Sequence, residues 1–381
     1  MKTKNNKTKN KKGATYALFA IYFLIGGACG LFMVSFLDSN ESLGPLHFII
    51  LLSAFYLSSF VHVIIHEAGH LVFGLLTGYR FCSFRIMSFM WISENGSVKL
   101  KRLKIAGTSG QCLMIPPEMK DGKIPTFLYN LGGSIANTVF SLLFLFLSIF
   151  AVPKTSLISG IFAVFFLMGM ILALTNGIPM SAGGVDNDGK NALSLSKSKE
   201  AMRAFWIQMK LGEMNSKGTR LKDMPDEWFS MPTDEAMKNS LVAAIGVFTC
   251  NRELDAMRFE SADQLIEKML SGENAMIGIH KSLLICDKIY TELILGKERE
   301  AVKARLTKEQ SAFMKQMKNF PSVIRTEYAI ALLCENDLSK AEEIKKRFEK
   351  TAKKYPYQND IASERSLIKK TELVSAERKI L

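Results

Sequence analysis

The stretch His66-Glu67-Ala68-Gly69-His70 holds the residue types and spacing in this chain that can do chemistry. Four residues apart on a helix, His66 and His70 present both imidazoles on one face, where they can grip one Zn²⁺ ion. Glu67 follows the first ligand directly and can take a proton from water at that ion. Apolar residues surround the motif, Phe48 to Ile65 before it and Leu71 to Leu76 after it. Ionisable residues inside a membrane span are costly, so three of them clustered together mark a functional site. The plainer reading, two buried histidines bonded to neighbours, would leave Glu67 desolvated without metal or partner. His62 lies one turn earlier. It and His70 are about 12 Å apart along a helix axis, too far for one ion to take all three imidazoles. His62 therefore reads as a cavity-lining or merely polar helix residue.

The elements that must position this motif follow from composition. Long apolar runs dominate before about residue 190, and charged residues become dense after it. That predicts a basic tail over 1–14, a transmembrane domain over 15–190 and a helical domain over 191–381. Four segments reach spanning length: about Thr15–Leu37, Leu46–Leu76, Phe127–Val152 and Ser156–Ile178. The first lacks a convincing small-residue cleavage site and reads as a retained helix. The net charge of +13 is placed asymmetrically. Lys2, Lys4, Lys7, Lys9, Lys11 and Lys12 precede the first span, and a second basic group, Arg80 to Lys123, lies between the second and third. Opposite loops carry Asp38, Glu41 and Lys154. This bias predicts a multi-pass cell-membrane protein with both termini cytoplasmic, its basic surplus facing anionic lipid heads. No basic groove interleaved with aromatics favours nucleic acid. Six scattered cysteines, with no C-x-x-C pair, read as small buried hydrophobes rather than a disulfide framework.

Two histidines do not complete a catalytic zinc site, which needs a third protein ligand and an open position. The fourth span runs into Asn176-Gly177-Ile178-Pro179 and then Asp186-Asn187-Asp188-Gly189. Glycine and proline there unwind the helix. Asp186 and Asp188 are the carboxylates available to join the histidines; the competing reading is an ordinary polar turn.

The chain resembles the site-2 protease family of intramembrane zinc metalloproteases. His66 to His70 match that family's H-E-x-x-H. Gly132-Gly133-Ser134-Ile135-Ala136-Asn137 resembles its middle span, and Asn176-Gly177-Ile178-Pro179 with Asp188-Gly189 resembles its N-P-x-P and D-G. Gly177 stands where the family has its first proline, and the gap to Asp188 is longer. The resemblance covers about residues 46–190. It implies a zinc site of His66, His70 and Asp188, preferred over Asp186 because glycine follows it. It also implies substrate-binding roles for Asn137 and Asn176, whose alternative is helix–helix hydrogen bonding.

Between the second and third spans, Phe81–Ser93 and Val98–Ile105 flank Glu94-Asn95-Gly96-Ser97, which predicts a β-hairpin over about 81–105. It reads either as a strand-addition surface for an unwound substrate or as a headgroup-level anchor. Gly107 to Gln111 reads as a flexible turn. From Met231 onward apolar residues recur at helical spacing, with turns near Cys250-Asn251-Arg252, Gly296-Lys297 and Glu335-Asn336-Asp337. That predicts tetratricopeptide-like helical hairpins, a solenoid able to dock a partner protein, or else an ordinary bundle. His280 reads as a satisfied core or surface histidine.

The expected fold is thus an α-helical membrane protein with a membrane-associated β-hairpin and a C-terminal all-α domain. The expected function is zinc-dependent cleavage of transmembrane segments or membrane-bound peptide precursors in the bilayer, with Glu67 as general base. The competing class is a non-catalytic membrane scaffold recruiting partners through the helical domain.

Overall fold

The computed structural model describes Gly27 and residues 44–380, apart from Asn95, Ala106, Gly107, Lys154, Thr155, Gly183, Gly184 and Glu298. The expected span at 15–37 and the basic tail lie outside the described residues. Within them the chain is mostly helical with a small antiparallel sheet. Three helical segments are long and apolar enough to cross a membrane: Pro45–Leu76, Phe127–Ala151 and Leu157–Gly177. They match the expected second, third and fourth spans to within two residues at either end. Contacts divide the chain into two compact units that interleave along it.

The first unit runs through Phe73, then Phe127–Ser181 and Asp186–Leu193. Its helices are α1 (Pro45–Leu76), α2 (Phe127–Phe146, continued by a π turn at Leu147–Ala151), α3 (Leu157–Gly177) and the short α4 (Asp188–Ser194). Leu52, Phe55, Leu57, Leu142, Leu143 and Phe146 stay exposed. In water such a surface would be a liability; in lipid it costs nothing. What packs inward is small and polar. A Cβ on Gly69 would fall 2.3 Å from the Gly132 carbonyl oxygen, and one on Gly132 would fall 2.6 Å from the Gly69 oxygen. Glycine at both positions therefore lets the α1 and α2 backbones meet, the small-residue contact that membrane helices use. Ser148 and Ser159 donate to each other's carbonyl oxygens at 3.0 Å, tying the end of α2 to α3.

The second unit holds Gly74–Thr126, Ala182–Val185 and Ser194–Leu381. Its strands β1 (Arg80–Ile86), β2 (Phe89–Glu94), β3 (Ser97–Arg102) and β4 (Gly110–Ile115) form one antiparallel sheet in the order β3-β2-β1-β4. The expected Asn-Gly hairpin is the β2–β3 turn, where Glu94 pairs with Ser97 and Gly96 adopts φ 78°. Two features differ from the sequence reading. Phe81–Ser93 is two strands rather than one, folded back at Met87, whose φ is 54°. Part of the expected flexible turn instead enters β4. Arg85 explains both. It is 1% exposed, with Nη1 donating to Met87 O at 2.8 Å and Nη2 to Thr108 Oγ1 at 2.6 Å. A buried guanidinium must find acceptors, and here it finds them in the turn and in the lead-in to β4.

Helices α5 (Lys199–Ser216), α6 (Ser240–Asp255), α7 (Phe259–Ser271), α8 (Gly278–Ile294), α9 (Arg299–Arg305), α10 (Lys308–Gln316), α11 (Pro321–Ala329), α12 (Leu338–Ala352) and α13 (Gln358–Ile380) complete this unit. Their starts are written locally. Ser198, Asn239, Thr307 and Asp337 each cap a first turn through a side-chain oxygen. Their cores follow helical spacing, as in Phe259, Ala262, Ile266 and Met269 of α7. Turns occur at Gly296 (φ 75°) and Asn336 (φ 57°) as expected. The turn expected near Cys250-Asn251-Arg252 falls later, at Met257 (φ 59°), because those three residues continue α6. The sheet is part of this unit's core: Met90, Ile92 and Leu103 bury against Ile324, Tyr328 and Phe348. All five described cysteines are buried and unbridged; Cys29 lies outside the described residues.

Candidate metal centre

Helix α1 carries His66 and His70 one turn apart, and α4 begins with Asp188. The three converge. His66 Nε2 lies 3.0 Å from Asp188 Oδ2, His70 Nε2 lies 3.3 Å from the same oxygen, and the two Nε2 atoms are 3.2 Å apart. Ligand atoms about 2.0–2.1 Å from a tetrahedral Zn²⁺ stand roughly 3.3 Å from one another, so this triangle has the size of one face of such a site. Glu67, next to the first histidine on the same helix, is 9% exposed.

The rest of each imidazole is spoken for in the way metal-binding histidines require. His70 Nδ1 donates to Tyr129 O at 2.8 Å, which leaves Nε2 with its lone pair. His66 Nδ1 faces the Asn137 carboxamide at 3.3 Å, and the other end of that carboxamide faces His62 Nδ1 at 3.1 Å. As placed, Asn137 Oδ1 points to His62 and Nδ2 to His66, but a half-turn exchanges them without altering shape. Chemistry selects the exchanged form. His62 Nε2 sits 2.9 Å from Phe165 O, an acceptor, so it must carry the proton. The neutral ring then accepts at Nδ1, which calls for the amide N–H of Asn137. Asn137 oxygen is left to accept from His66 Nδ1–H, and His66 Nε2 is free for metal. The donor set therefore fits zinc, with His62 and Asn137, both 0% exposed, holding the first ligand's tautomer. Outer partners of this kind typically govern metal affinity 10–100-fold. Asn137→Leu is accordingly expected to weaken zinc binding by about that factor, measured by competition with a chromophoric chelator; an unchanged affinity would remove Asn137 from the site.

Two local devices seat these groups. A Cβ on Gly133 would strike the His66 ring at 2.5 Å, so only glycine leaves room for it. A Cβ on Gly189 would lie 2.0 Å from Gly177 O, so the backbone after Asp188 rests directly on the end of α3. Asn187 locks that contact. Its Nδ2 donates to Thr175 O at 2.8 Å and Ile178 O at 2.6 Å, while its Oδ1 accepts from Met180 N and Lys190 N. This residue went unnoticed in the sequence. The signal available was its position as the N-cap before Asp-Gly-Lys. Asp186 turns elsewhere, to Lys190 Nζ at 2.8 Å and Ser181 Oγ at 2.6 Å. Asn176 is half-buried, with Nδ2 donating to Leu172 O of its own helix at 3.0 Å.

Residues 45–185 match the family model described as Peptidase M50B-like, consistent with the site-2 protease family. That match points to a membrane metalloprotease. No curated protein and no solved structure matches the chain.

Proposed function

We propose that this protein is an intramembrane zinc endopeptidase that cuts transmembrane segments or membrane-held peptide precursors. The observation that carries the reading is the His66–His70–Asp188 triangle beside Glu67, on a helix long and apolar enough to span a bilayer. His66 and His70 through Nε2, and Asp188 through Oδ2, would hold Zn²⁺. When bound, the ion supplies Lewis acidity that polarises the scissile carbonyl and acidifies water. Glu67 accepts the proton of the attacking water and delivers it to the amide nitrogen as the C–N bond breaks. His62 and Asn137 keep His66 oriented. Asn176, at the end of α3, remains a candidate for substrate contact, whereas Asn137, 0% exposed and with both ends of its carboxamide on His62 and His66, takes a positioning role instead. The outer edge of β3, which has no strand beside it among the described residues, is proposed to receive an unwound substrate as an added strand. Both termini would face the cytoplasm, and the helical domain would dock a partner.

Metal analysis tests this without a known substrate. Protein purified in detergent is expected to carry about one zinc per chain, to lose it to a strong chelator and to regain it from Zn²⁺ alone. Cleavage, once a substrate is found, should follow the same cycle. A chain that takes up no zinc under any of these conditions refutes the reading and leaves the scaffold.

A further inference from the structure

Helices α5, α6, α8, α11 and α13 of the second unit line a cavity of about 390 Å³ that the metal site does not use. Its volume falls in the range of small-ligand sites. Four carboxylates line it, Asp255, Asp287, Asp360 and Glu364, against the guanidinium groups of Arg220 and Arg325. Three of the acids are satisfied. Asp255 accepts from Arg220 Nε at 3.0 Å and from Lys222 N at 3.0 Å. Asp287 and Glu364 share Arg325, the latter at 3.0 Å. Asp360 meets the Asn215 amide but no cation among the described residues.

The lining also carries unused hydrogen-bonding atoms. Among the described residues, Asn251 Oδ1, Asn359 Oδ1 and Arg325 Nη1 are buried with no hydrogen-bond partner, in residues of which Asn359 is 6% and Arg325 1% exposed. Asn359 cannot exchange its ends, since its Nδ2 already donates to Thr219 O at 2.8 Å. Orphaned buried groups of this kind cost stability and call for an explanation. Two amide oxygens and a carboxylate want N–H donors carrying positive charge. The free N–H of Arg325 wants a carbonyl or carboxylate. Phe248, Phe320 and Tyr355 add apolar and π surface. An ammonium next to a carbonyl, with room for an apolar side chain, is the chemistry of a peptide amino terminus.

We propose that this cavity binds the free amino terminus of a short peptide, with Asp360, Asn251 and Asn359 receiving the ammonium and Arg325 the carbonyl. The proposal stands apart from the protease reading, because it uses no residue of the metal site. Asp360 also leaves a mark on stability. Burial, then Glu364 and Asp255 nearby, push its carboxyl up to about 7, with the Asn215 hydrogen bond pulling the other way. Asp287, Arg220, Arg325, His280, Tyr355 and Tyr357 complete the surrounding ionisable groups. A carboxyl raised on folding is protonated in the folded state at pH values where the unfolded chain has released its proton. Its contribution is therefore lost as pH rises from the unfolded value, near 4, through about 7. Asp360→Asn should raise Tm by a few degrees at pH 8 and leave it unchanged at pH 4, which also reports that the variant folds.

The binding test uses the full chain in detergent at pH 8, with the tripeptide Ala-Phe-Ala, its N-acetylated form and spermidine followed by calorimetry. Wild type should bind the free tripeptide, the acetylated form at least tenfold more weakly, and spermidine more weakly than the tripeptide. Asp360→Asn should lose tenfold or more in affinity for Ala-Phe-Ala while keeping its raised Tm. Absence of tripeptide binding to folded wild type, equal binding by Asp360→Asn, or indifference to acetylation each overturns the proposal. Spermidine binding as tight as the peptide overturns the peptide class in favour of a plain polyamine.

Discussion

Glu67→Gln is expected to keep zinc and stability at wild-type levels and to lose peptide-bond cleavage by roughly 10²–10⁴-fold, the range over which a positioned general base acts. Glutamine has the volume and hydrogen-bonding reach of glutamate but no basic oxygen, so the change removes proton transfer and little else. The three atoms proposed to hold the metal belong to His66, His70 and Asp188, and none is touched. Because the substrate is unknown, the informative measurement compares membrane proteomes of cells carrying wild type or Glu67→Gln. Peptides cut within a membrane segment should appear with wild type alone. Identical cleavage by both proteins would mean that Glu67 is not the base, and the protease reading would fail with it. Loss of zinc in the variant would instead place Glu67 in the metal's own shell.

The second large effect separates two aspartates two residues apart. Asp188→Ala removes one corner of the ligand triangle and should weaken zinc by more than about 100-fold, beyond what an outer partner contributes. His66→Ala and His70→Ala should do the same, since two ligands rarely retain a catalytic ion. Asp186→Ala breaks an ion pair with Lys190, whose side chain is 40% exposed, and such pairs are worth about 0–1 kcal/mol. Zinc content should hardly change. Were Asp186→Ala to lose zinc while Asp188→Ala kept it, the ligand assignment would be reversed.

Much of this was legible in the chain because it is local. Helical periodicity alone places His66 and His70 on one face, and the length of the apolar runs alone marks three of the spans among the described residues. The Asn-Gly turn announces β2 and β3. Local rules miss where distant segments decide. Nothing near Met87 in sequence says that the strand folds back there; a buried Arg85 collecting carbonyl and hydroxyl oxygens from the turn and from the lead-in to β4 does. Cys250-Asn251-Arg252 looked like a turn because asparagine beside polar residues favours one, yet burial of Val247, Cys250 and Leu254 keeps α6 running.

The sequence by itself determined that two histidines share a helix face with a glutamate beside the first, inside an apolar run long enough to cross a membrane, since residue type, spacing of four and apolar length are properties of single segments. Tertiary structure brings Asp188, the aspartate the resemblance favours, onto the two histidines and turns Asp186 to Lys190, because Asn187 and Gly189 lock α4 to the end of α3. It also turned Asn137 from a polar residue on a helix into the bridge between His62 and His66. The cavity around Asp360 is its product entirely: the lining comes from residues between Leu113 and Leu367, and five helices must pack before those residues share one space.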